Sequence, residues 1–395
     1  MSASINPLGR VAARLTALLA LAWLAACAPV PGAAPGGNSG PRIDPGSTVQ
    51  VALLVPGGSG DGADQLIATN LENAARMAIA DLGGAQIDLR VYNTGANPAQ
   101  AASIATAAVD DGAQIILGPL YAEAANAVGV TVAPRNVNVL TFSNNPTIAG
   151  GNVFLLGSTF ENTANRLVNF AARSGITRFA VVHADDLQGN VGRDAITAAV
   201  SRNRAQLAGV ASYPLSQQGI LDAAPQIAAT VKAGGADAVF LTASISADLP
   251  IIATALPDAG VNPLDTKFIG LTRWNALPQA LALPGLQGGL FALPDQAVLN
   301  SFEGRYAATY GAAPHPLAGL AYDGIAAIGA LLQSGNAGAL TRQGLTTSQG
   351  FQGANGIFRF LPNGQSERGL AVAEIRNNQV VILDPAPRSF GGSGL

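Results

Sequence analysis

Charged side chains are scarce in this sequence, and positive charge is not in excess. Only 11% of the 395 residues are Asp, Glu, Lys or Arg, and the formal net charge is −3. An average soluble domain has about 25% charged residues. Without a basic surface the chain has no electrostatic means of holding DNA or RNA, so we exclude nucleic acid as a partner. At about 150 residues per domain, the length predicts two or three domains. The high apolar content, 49%, and the low charge predict a folded rather than a disordered chain.

Cysteine and histidine are nearly absent. The single cysteine, Cys27, excludes an intramolecular disulfide and a thiolate cluster for zinc or iron–sulfur. The two histidines, His183 and His315, are too far apart in sequence to form a local metal motif. The segment His183-Ala184-Asp185-Asp186 is interpreted as a loop that lines a cleft rather than as a metal site. We therefore predict no metal.

Two further motifs, which would indicate a cofactor site or a catalytic serine, are incomplete. Residues 58–63, GSGDGA, fit the dinucleotide fingerprint, but Tyr92-Asn93-Thr94 stands where an acidic ribose ligand is needed. The alternative reading is a glycine loop that presents free N–H groups to an anion or a carbonyl. No G-x-S-x-G elbow occurs, so a hydrolase serine lacks its usual geometry. We predict no cofactor, no catalytic residue and no enzymatic activity.

The first 26 residues have the pattern of an export signal. Arg10 and Arg14 precede an uncharged run, residues 15–26, which is shorter than the roughly 20 residues that a membrane-spanning helix needs. The run ends in Leu24-Ala25-Ala26-Cys27, which resembles the lipobox of bacterial lipoproteins, where the cysteine receives diacylglycerol. We predict a signal peptide over 1–26 and a lipid on Cys27. The alternative is ordinary cleavage beside an incidental cysteine.

The segment that follows, residues 28–48, predicts a tether. It contains five Pro and five Gly and shows no hydrophobic periodicity. Together with Cys27 it forms the predicted anchor region 27–48. Ala28 stands where an aspartate would favour retention in the inner membrane. We therefore predict a periplasmic protein that contacts the membrane through its lipid, with the outer membrane favoured over the inner.

From Val49 onward, strand patterns alternate with helix patterns. Helices of 10 to 18 residues between short apolar strands indicate βαβ units and parallel sheets, so the predicted class is α/β. Near the C-terminus the pattern changes, and the turns Pro362-Asn363-Gly364 and Asn377-Asn378 predict hairpins. The predicted strands are VQVALLV (49–55), IDLRVY (87–92), QIILG (114–118), VNVLTFS (137–143), RFAVVH (178–183), QLAGVASY (206–213), DAVFLTA (237–243), TKFIGL (266–271), GIFRF (356–360), LAVAEIR (370–376) and QVVIL (379–383).

Polar and aromatic side chains follow several of these strands, and open α/β sheets bind ligands at the carboxyl ends of their strands. For two of the candidates the alternative to ligand binding is a structural role. In that alternative, Trp274 and its neighbour form a packed loop, and Tyr322 belongs to a buried polar pair in an alanine-rich helix. The candidate ligand-binding residues are Ser59, Tyr121, Ser143, Asn144, Asp185, Gln188, Ser244, Ser246, Arg273, Trp274 and Tyr322.

Five segments, in the same order, resemble the type 1 periplasmic binding proteins of the leucine/isoleucine/valine-binding family. They cover nearly the whole chain after the tether. Each segment alone is a weak signal, but their common order makes the resemblance specific. The segments are ENAARMAIADLGG (72–84), VYNTGANPAQAASIATAAVDDGAQIILGPLYA (91–122), RFAVVHADDLQGN (178–190), AYDG (321–324) and NGIFRFLPNG (355–364).

The resemblance implies a two-lobed fold in which each lobe is a parallel sheet flanked by helices and the ligand binds between the lobes. It implies three crossings between the lobes, near residues 157–162, 288–294 and 343–350. The implied lobes are 49–160 plus 291–346 for the first and 161–290 plus 347–395 for the second.

The residues that would hold an amino acid depart from the family pattern. In the carboxylate-binding region, Gly118–Tyr121 and Thr141–Asn144, only Ser143 offers a hydroxyl near the expected place. The acidic residue that would hold the α-ammonium aligns with Ala247, and Asp248 is its neighbour. Gln188 stands where the family has a tyrosine before a glycine. We therefore predict weak or absent binding of branched-chain amino acids.

Two functions are compatible with these observations. The first is a non-catalytic, solute-binding lipoprotein that delivers an amino acid or a small polar ligand to an ABC permease. The second is a lipoprotein activator of a peptidoglycan synthase, whose partner would be a penicillin-binding protein. The strings GPLYAEAA, TFSNNP and ILDPAPRSF resemble such activators.

Overall fold

The computed structural model describes residues 40–83 and 86–391. The predicted signal peptide, Cys27 and the tether up to residue 39 lie outside the described residues. Within this part of the chain, none of the helices combines the length and the apolar character needed to cross a lipid bilayer.

The first sheet has five parallel strands in the order β2-β1-β3-β4-β5. Its strands are β1 (Val49–Val55), β2 (Ile87–Asn93), β3 (Ile115–Leu117), β4 (Asn138–Thr141) and β5 (Val153–Leu155). Every residue of β1 is buried, because helices cover both faces of the sheet. Such a strand reads as a continuous apolar run, and this explains why its predicted bounds agree with the structure.

The second sheet has seven strands in the order β15-β14-β10-β9-β8-β6-β7. The strands are β6 (Arg178–Ala184), β7 (Gln206–Tyr213), β8 (Ala238–Leu241), β9 (Lys267–Gly270), β10 (Leu290–Leu293), β14 (Ala371–Arg376) and β15 (Gln379–Asp384). The first five are parallel, whereas β14 pairs antiparallel with β10 and β15 antiparallel with β14. The expectation of a parallel sheet in each lobe is thus corrected for this lobe. Asn377 and Asn378, both at positive φ, form the tight turn that reverses the chain.

Helices connect the strands and cover the sheets. Short polar residues begin most of them, because a side-chain oxygen satisfies a backbone N–H that the first turn leaves free. Asp61, Asn97 and Asp186, for example, accept bonds from backbone N–H groups two or three residues later. The helices are α1 (Gly62–Asp81), α2 (Pro98–Asp110), α3 (Ala122–Val132), α4 (Phe160–Arg173), α5 (Leu187–Arg202), α6 (Gln217–Ala233), α7 (Leu249–Asp258), α8 (Gln296–Tyr310), α9 (Ala318–Gln333) and α10 (Arg342–Leu345).

Between α10 and β14 in the sequence, the chain forms a small third sheet. It is antiparallel and consists of β11 (Phe351–Gly353), β12 (Gly356–Phe360) and β13 (Ser366–Arg368). Its phenylalanines are buried in the same hydrophobic cluster as β1 and α9. This sheet therefore packs with the first lobe, although the resemblance implied that residues after 346 join the second lobe.

The chain passes between the two cores three times. The passages lie between β5 and α4 (155–160), between β10 and α8 (293–296), and between β13 and β14 (368–371). The third passage differs from the position 343–350 that the resemblance implied. The reason is the burial of Phe351, Phe358 and Phe360 with the first core, which keeps the chain in that lobe for about 20 further residues.

Candidate ligand-binding cleft

A cavity of about 600 Å³ lies between the loops of the two large sheets. On the first lobe the loops after β3 and β4 form its wall, and on the second lobe the segments after β9 and β10 do. All four follow the carboxyl ends of strands, where open sheets bind ligands. The lining residues are Ile67, Leu120, Tyr121, Ala122, Phe142, Ser143, Asn144, Asn145, Gly157, Ser158, Thr163, Leu271, Arg273, Ala292, Leu293, Pro294, Pro316, Leu317, Leu320, Asn355, Arg368 and Leu370.

Most of this lining is apolar, and its uncharged polar groups are hydroxyls and amides. Ser143, Ser158 and Thr163 supply hydroxyls, whereas Asn144 and Asn355 supply amides. Gly157 lets the first passage run against the loop after β4, since a Cβ there would come within 2.5 Å of the Ser143 carbonyl oxygen. None of the described residues that line the cavity is acidic. The cleft therefore offers no carboxylate to a ligand cation.

Arg273 brings a positive charge into the cleft. Its side chain reaches solvent and makes no hydrogen bond or ion pair with any residue of the described ranges 40–83 and 86–391. The surrounding protein desolvates the guanidinium and so lowers the pKa of Arg273, while Glu303 on α8 acts in the opposite direction. At neutral pH an arginine stays charged in such a place. It is thus available to a ligand anion.

Tyr121 stands at the edge of the cleft and is fixed by an acid outside it. Its hydroxyl donates to the carboxylate of Asp64, which is buried in the first turn of α1. This hydrogen bond, with burial and the negative charge, raises the pKa of Tyr121 to about 12. Because Asp64 already accepts this proton, the tyrosine presents its ring and not a free donor to the cleft.

Arg368 ties together the parts of the chain that pass between the lobes. Its Nη1 lies 2.7 Å from Oδ2 of Asp323 on α9, and its Nη2 donates to the carbonyl oxygen of Leu156 in the first passage. Its backbone N–H donates to Asn162 on α4 at 3.0 Å. Asp323 is 0% exposed and Arg368 7%, and burial raises the pKa of Asp323, an effect that Arg368 opposes. This buried pair thus holds together the first and third passages, a region that we call the hinge.

Four of the eleven predicted ligand-binding residues line this cavity: Tyr121, Ser143, Asn144 and Arg273. They come from the loops after β3, β4 and β9, which are three of the four loops that form its walls. The cleft thus brings together residues that are up to 152 positions apart in sequence, counting from Tyr121 to Arg273.

Five predicted residues do not line the cavity; four of them lie in loops, and Gln188 lies in the first turn of α5. Ser59, Asp185 and Gln188 are exposed. Ser244 donates its backbone N–H to Asp248 at 2.7 Å, and Ser246 is exposed beside it. These loops follow β1, β6 and β8, at the same edge of each sheet as the loops that form the cavity.

Trp274 and Tyr322 have structural partners away from the cavity. Trp274 is fully buried and packs against Phe291 with ring centroids 5.8 Å apart, so it belongs to the second core. Tyr322 donates to Asp81 at 2.7 Å and packs edge-on against Phe302. Trp274 matches the packed-loop alternative, whereas Tyr322 is half-buried and bonds to Asp81 at the surface, so only its neighbour Asp323 is the buried polar residue of that helix.

The side chains of Asp248 and His183 also form hydrogen bonds within the protein. The carboxylate of Asp248 accepts from Tyr213 at 2.5 Å and from the N–H of Ser244, so it braces a loop. The ring Nδ1 of buried His183 lies 2.9 Å from the carbonyl oxygen of Ala184. Among the residues that the structure describes, no three His, Cys, Asp or Glu side chains form a group suited to a metal ion.

Sequence reasoning missed the apolar wall of the cavity and several of its polar residues. Ser158 and Thr163 belong to the first passage and α4, whereas Asn355 and Arg368 come from the small third sheet. The only available signal was the resemblance, which placed the first crossing near Ser158.

A two-lobed α/β fold with three passages and a cleft at the carboxyl ends of its strands is the architecture of the periplasmic binding proteins. The chain matches the family model described as periplasmic binding protein over residues 48–379, and it belongs to that family. The resemblance to type 1 periplasmic binding proteins of the leucine-binding type is thereby confirmed, as is the two-lobed α/β fold. No sequence among the curated proteins matches the chain.

Solved structures of the same fold are similar to this chain over most of its length. One is a branched-chain amino acid ABC transporter periplasmic ligand-binding protein from Burkholderia xenovorans (17% identity, 88% of this chain and 97% of that chain, TM-score 0.63). A second, from Desulfitobacterium hafniense, is a complex with Leu (19%, 85% and 100%, 0.60). A third, from R. palustris, is a complex with 4-hydroxybenzoate (16%, 87% and 97%, 0.58). At these identities the likeness concerns the fold.

Proposed function

We propose that this protein is a non-catalytic receptor that binds a small carboxylate with an apolar body and delivers it to an ABC permease. The observation that carries the proposal is the pairing of Arg273 with an apolar wall in a cavity whose lining has no acidic residue. A guanidinium recognises a carboxylate through two parallel N–H···O bonds. The leucines around it would cover the apolar body.

The charge balance disfavours an amino acid as the ligand. A zwitterion would bring its ammonium group into a cavity without a carboxylate partner, and an unpaired buried charge costs several kcal/mol. The same carboxylate without the ammonium group avoids this cost. The R. palustris protein in complex with 4-hydroxybenzoate supports this ligand class, and the D. hafniense protein in complex with Leu supports the competing one.

Leucine and its deaminated analogue provide a matched test. 4-Methylpentanoate has the carboxylate and the side chain of leucine but not the α-amino group. We expect it to bind at least about 10-fold more tightly than leucine, because about 1.4 kcal/mol corresponds to a factor of ten and an unpaired ammonium costs more. Isothermal titration of the purified protein with both compounds measures the difference. Leucine binding as tightly as, or more tightly than, its analogue would refute the proposal.

A role in cell-wall synthesis is the alternative. The segments GPLYAEAA and TFSNNP, which resemble penicillin-binding protein activators, contribute Leu120, Tyr121 and Phe142–Asn145 to the cleft. In an activator these residues would shape a docking scaffold. Absence of heat with either compound, together with co-purification of a penicillin-binding protein, would favour this function over transport.

The lipid anchor is part of the proposal, with Cys27 as the first residue of the mature protein. We expect diacylglycerol on Cys27, because Leu24-Ala25-Ala26 precedes it, and membrane release on the change Cys27→Ser. Mass spectrometry of the mature N-terminus and fractionation of the inner and outer membranes measure both. A mature protein that begins at another residue, without lipid, would contradict it.

A further inference from the structure

A second cavity, of about 530 Å³, lies beside the first and third passages. Its volume falls in the range of about 300–1,000 Å³ that is typical of small-molecule sites. The cavity is formed by α4, the end of α5 and the small third sheet. Its lining residues are Thr159, Glu161, Asn162, Asn165, Arg166, Asn169, Arg202, Asn203, Leu361, Asn363, Gln365, Ser366, Glu367 and Arg368.

Four of these residues carry buried polar atoms without a hydrogen-bond partner in the described part of the chain. They are Asn165 Oδ1, Arg166 Nη1, Ser366 Oγ and Arg368 Nε. Ser366 is 3% exposed, Arg368 7% and Arg166 9%. A buried polar group without a partner costs about 1–3 kcal/mol, so such atoms are rare in folded proteins. Their concentration around one cavity indicates that a ligand supplies their hydrogen bonds.

The charges around this cavity are balanced. Each arginine that lines it already has an acidic partner, and Glu367 has a basic one. The ion pairs are Arg166–Asp384, Arg202–Glu161, Arg368–Asp323 and Arg359–Glu367. The cavity therefore has no unneutralised cation with which to attract an anion, in contrast to the cleft with Arg273.

The cavity also lacks an apolar wall. Leu361 is the one apolar side chain among its lining residues, and none of those residues is aromatic. A ligand with an apolar body would meet a single apolar side chain here, and otherwise only the carbon atoms of polar side chains. The free atoms include both donors, on Arg166 and Arg368, and an acceptor, on Asn165. A hydroxyl group can satisfy either kind, because it donates one hydrogen bond and accepts others.

From these observations we infer that the protein has a second ligand site, beside the hinge, for a neutral polyhydroxylated molecule such as a sugar alcohol or a monosaccharide. The hydroxyls of this ligand bond to Asn165, Arg166, Ser366 and Arg368. This site differs in chemistry from the cleft that binds the proposed transport ligand. The two cavities share only Arg368 among their lining residues.

Saturation-transfer NMR with sorbitol tests the site, because the method detects weak binding. We expect transfer from the wild-type protein to sorbitol. Two variants, Ser366→Ala and Asn165→Leu, remove polar atoms that have no protein partner while keeping the side chain of similar size. Each should weaken sorbitol binding by about 10-fold, which corresponds to one hydrogen bond. Ser301→Ala, an exposed serine on α8, should leave sorbitol binding unchanged.

The other outcomes overturn the inference. Absence of transfer from wild type at millimolar sorbitol would show that the site takes no polyol. Equal binding by Ser366→Ala and Asn165→Leu, with thermal unfolding like that of wild type, would place sorbitol elsewhere. Transfer to acetate but not to sorbitol, lost in Ser366→Ala, would replace the neutral ligand by an anion. If 4-methylpentanoate displaced sorbitol from the Arg273→Met variant as well as from wild type, the two compounds would share one cavity outside the cleft.

Discussion

Replacing Asp323 by alanine is expected to lower the free energy of unfolding by about 3–5 kcal/mol. The change leaves the guanidinium of Arg368 buried without its acidic partner, and Arg368 bridges α9, the first passage and α4. It also removes the acceptor of the Ala354 N–H, which lies 2.6 Å from Asp323 Oδ1. Urea unfolding followed by circular dichroism measures the loss.

Glu72→Ala provides the matched control. Glu72 pairs with Arg76 one helical turn away, and both side chains are solvent-exposed. Exposed pairs of this kind contribute about 0.2–1 kcal/mol, so the control should unfold nearly as wild type does. If Asp323→Ala lost no more stability than Glu72→Ala, the buried pair would not hold the first and third passages together.

The second large effect concerns Arg273 and the proposed ligand. Arg273→Met is expected to weaken the binding of 4-methylpentanoate by about 10- to 100-fold, since hydrogen bonds to charged groups contribute about 1.5–3 kcal/mol. The fold should be unaffected, because Arg273 has no hydrogen bond or ion pair with another described residue. Isothermal titration and thermal unfolding of the same preparation separate the two effects.

Arg388→Met tests whether the loss of any positive charge weakens the binding of 4-methylpentanoate. Arg388 is exposed near the C-terminal end of the described residues and does not line the cleft. Its replacement should leave the affinity unchanged. Unchanged affinity in Arg273→Met as well would mean that the carboxylate binds through the hydroxyls and amides alone, or outside the cleft.

Local sequence patterns predicted most of the secondary structure because they reflect burial. The bounds predicted for β1, Val49–Val55, and for β7, Gln206–Tyr213, agree with the structure. The strands β5, β10, β11 and β13 were missed. Three or four residues are too few to show a periodicity of two, so a pattern does not reliably identify strands of this length. Tertiary packing, not propensity, makes these segments into strands.

For the cleft, the sequence predicted the loops that follow strands but not which of them line the cavity. Tyr121, Ser143, Asn144 and Arg273 line it, whereas Ser59, Asp185 and Ser246 follow strands equally well and do not. The carboxyl ends of parallel strands share one edge, but only the position of each strand in the sheet brings its loop to the other lobe.

By itself, the sequence determined the α/β class, the family and the scarcity of charged residues. These properties depend on the order and composition of local segments. Only the tertiary structure decided the apolar wall of the cleft, the second cavity and the bridging role of Arg368. That residue contacts Leu156, Asn162 and Asp323, which are 45 to 212 positions away along the chain. Contacts at such separations depend on how both sheets fold, and no local pattern encodes them.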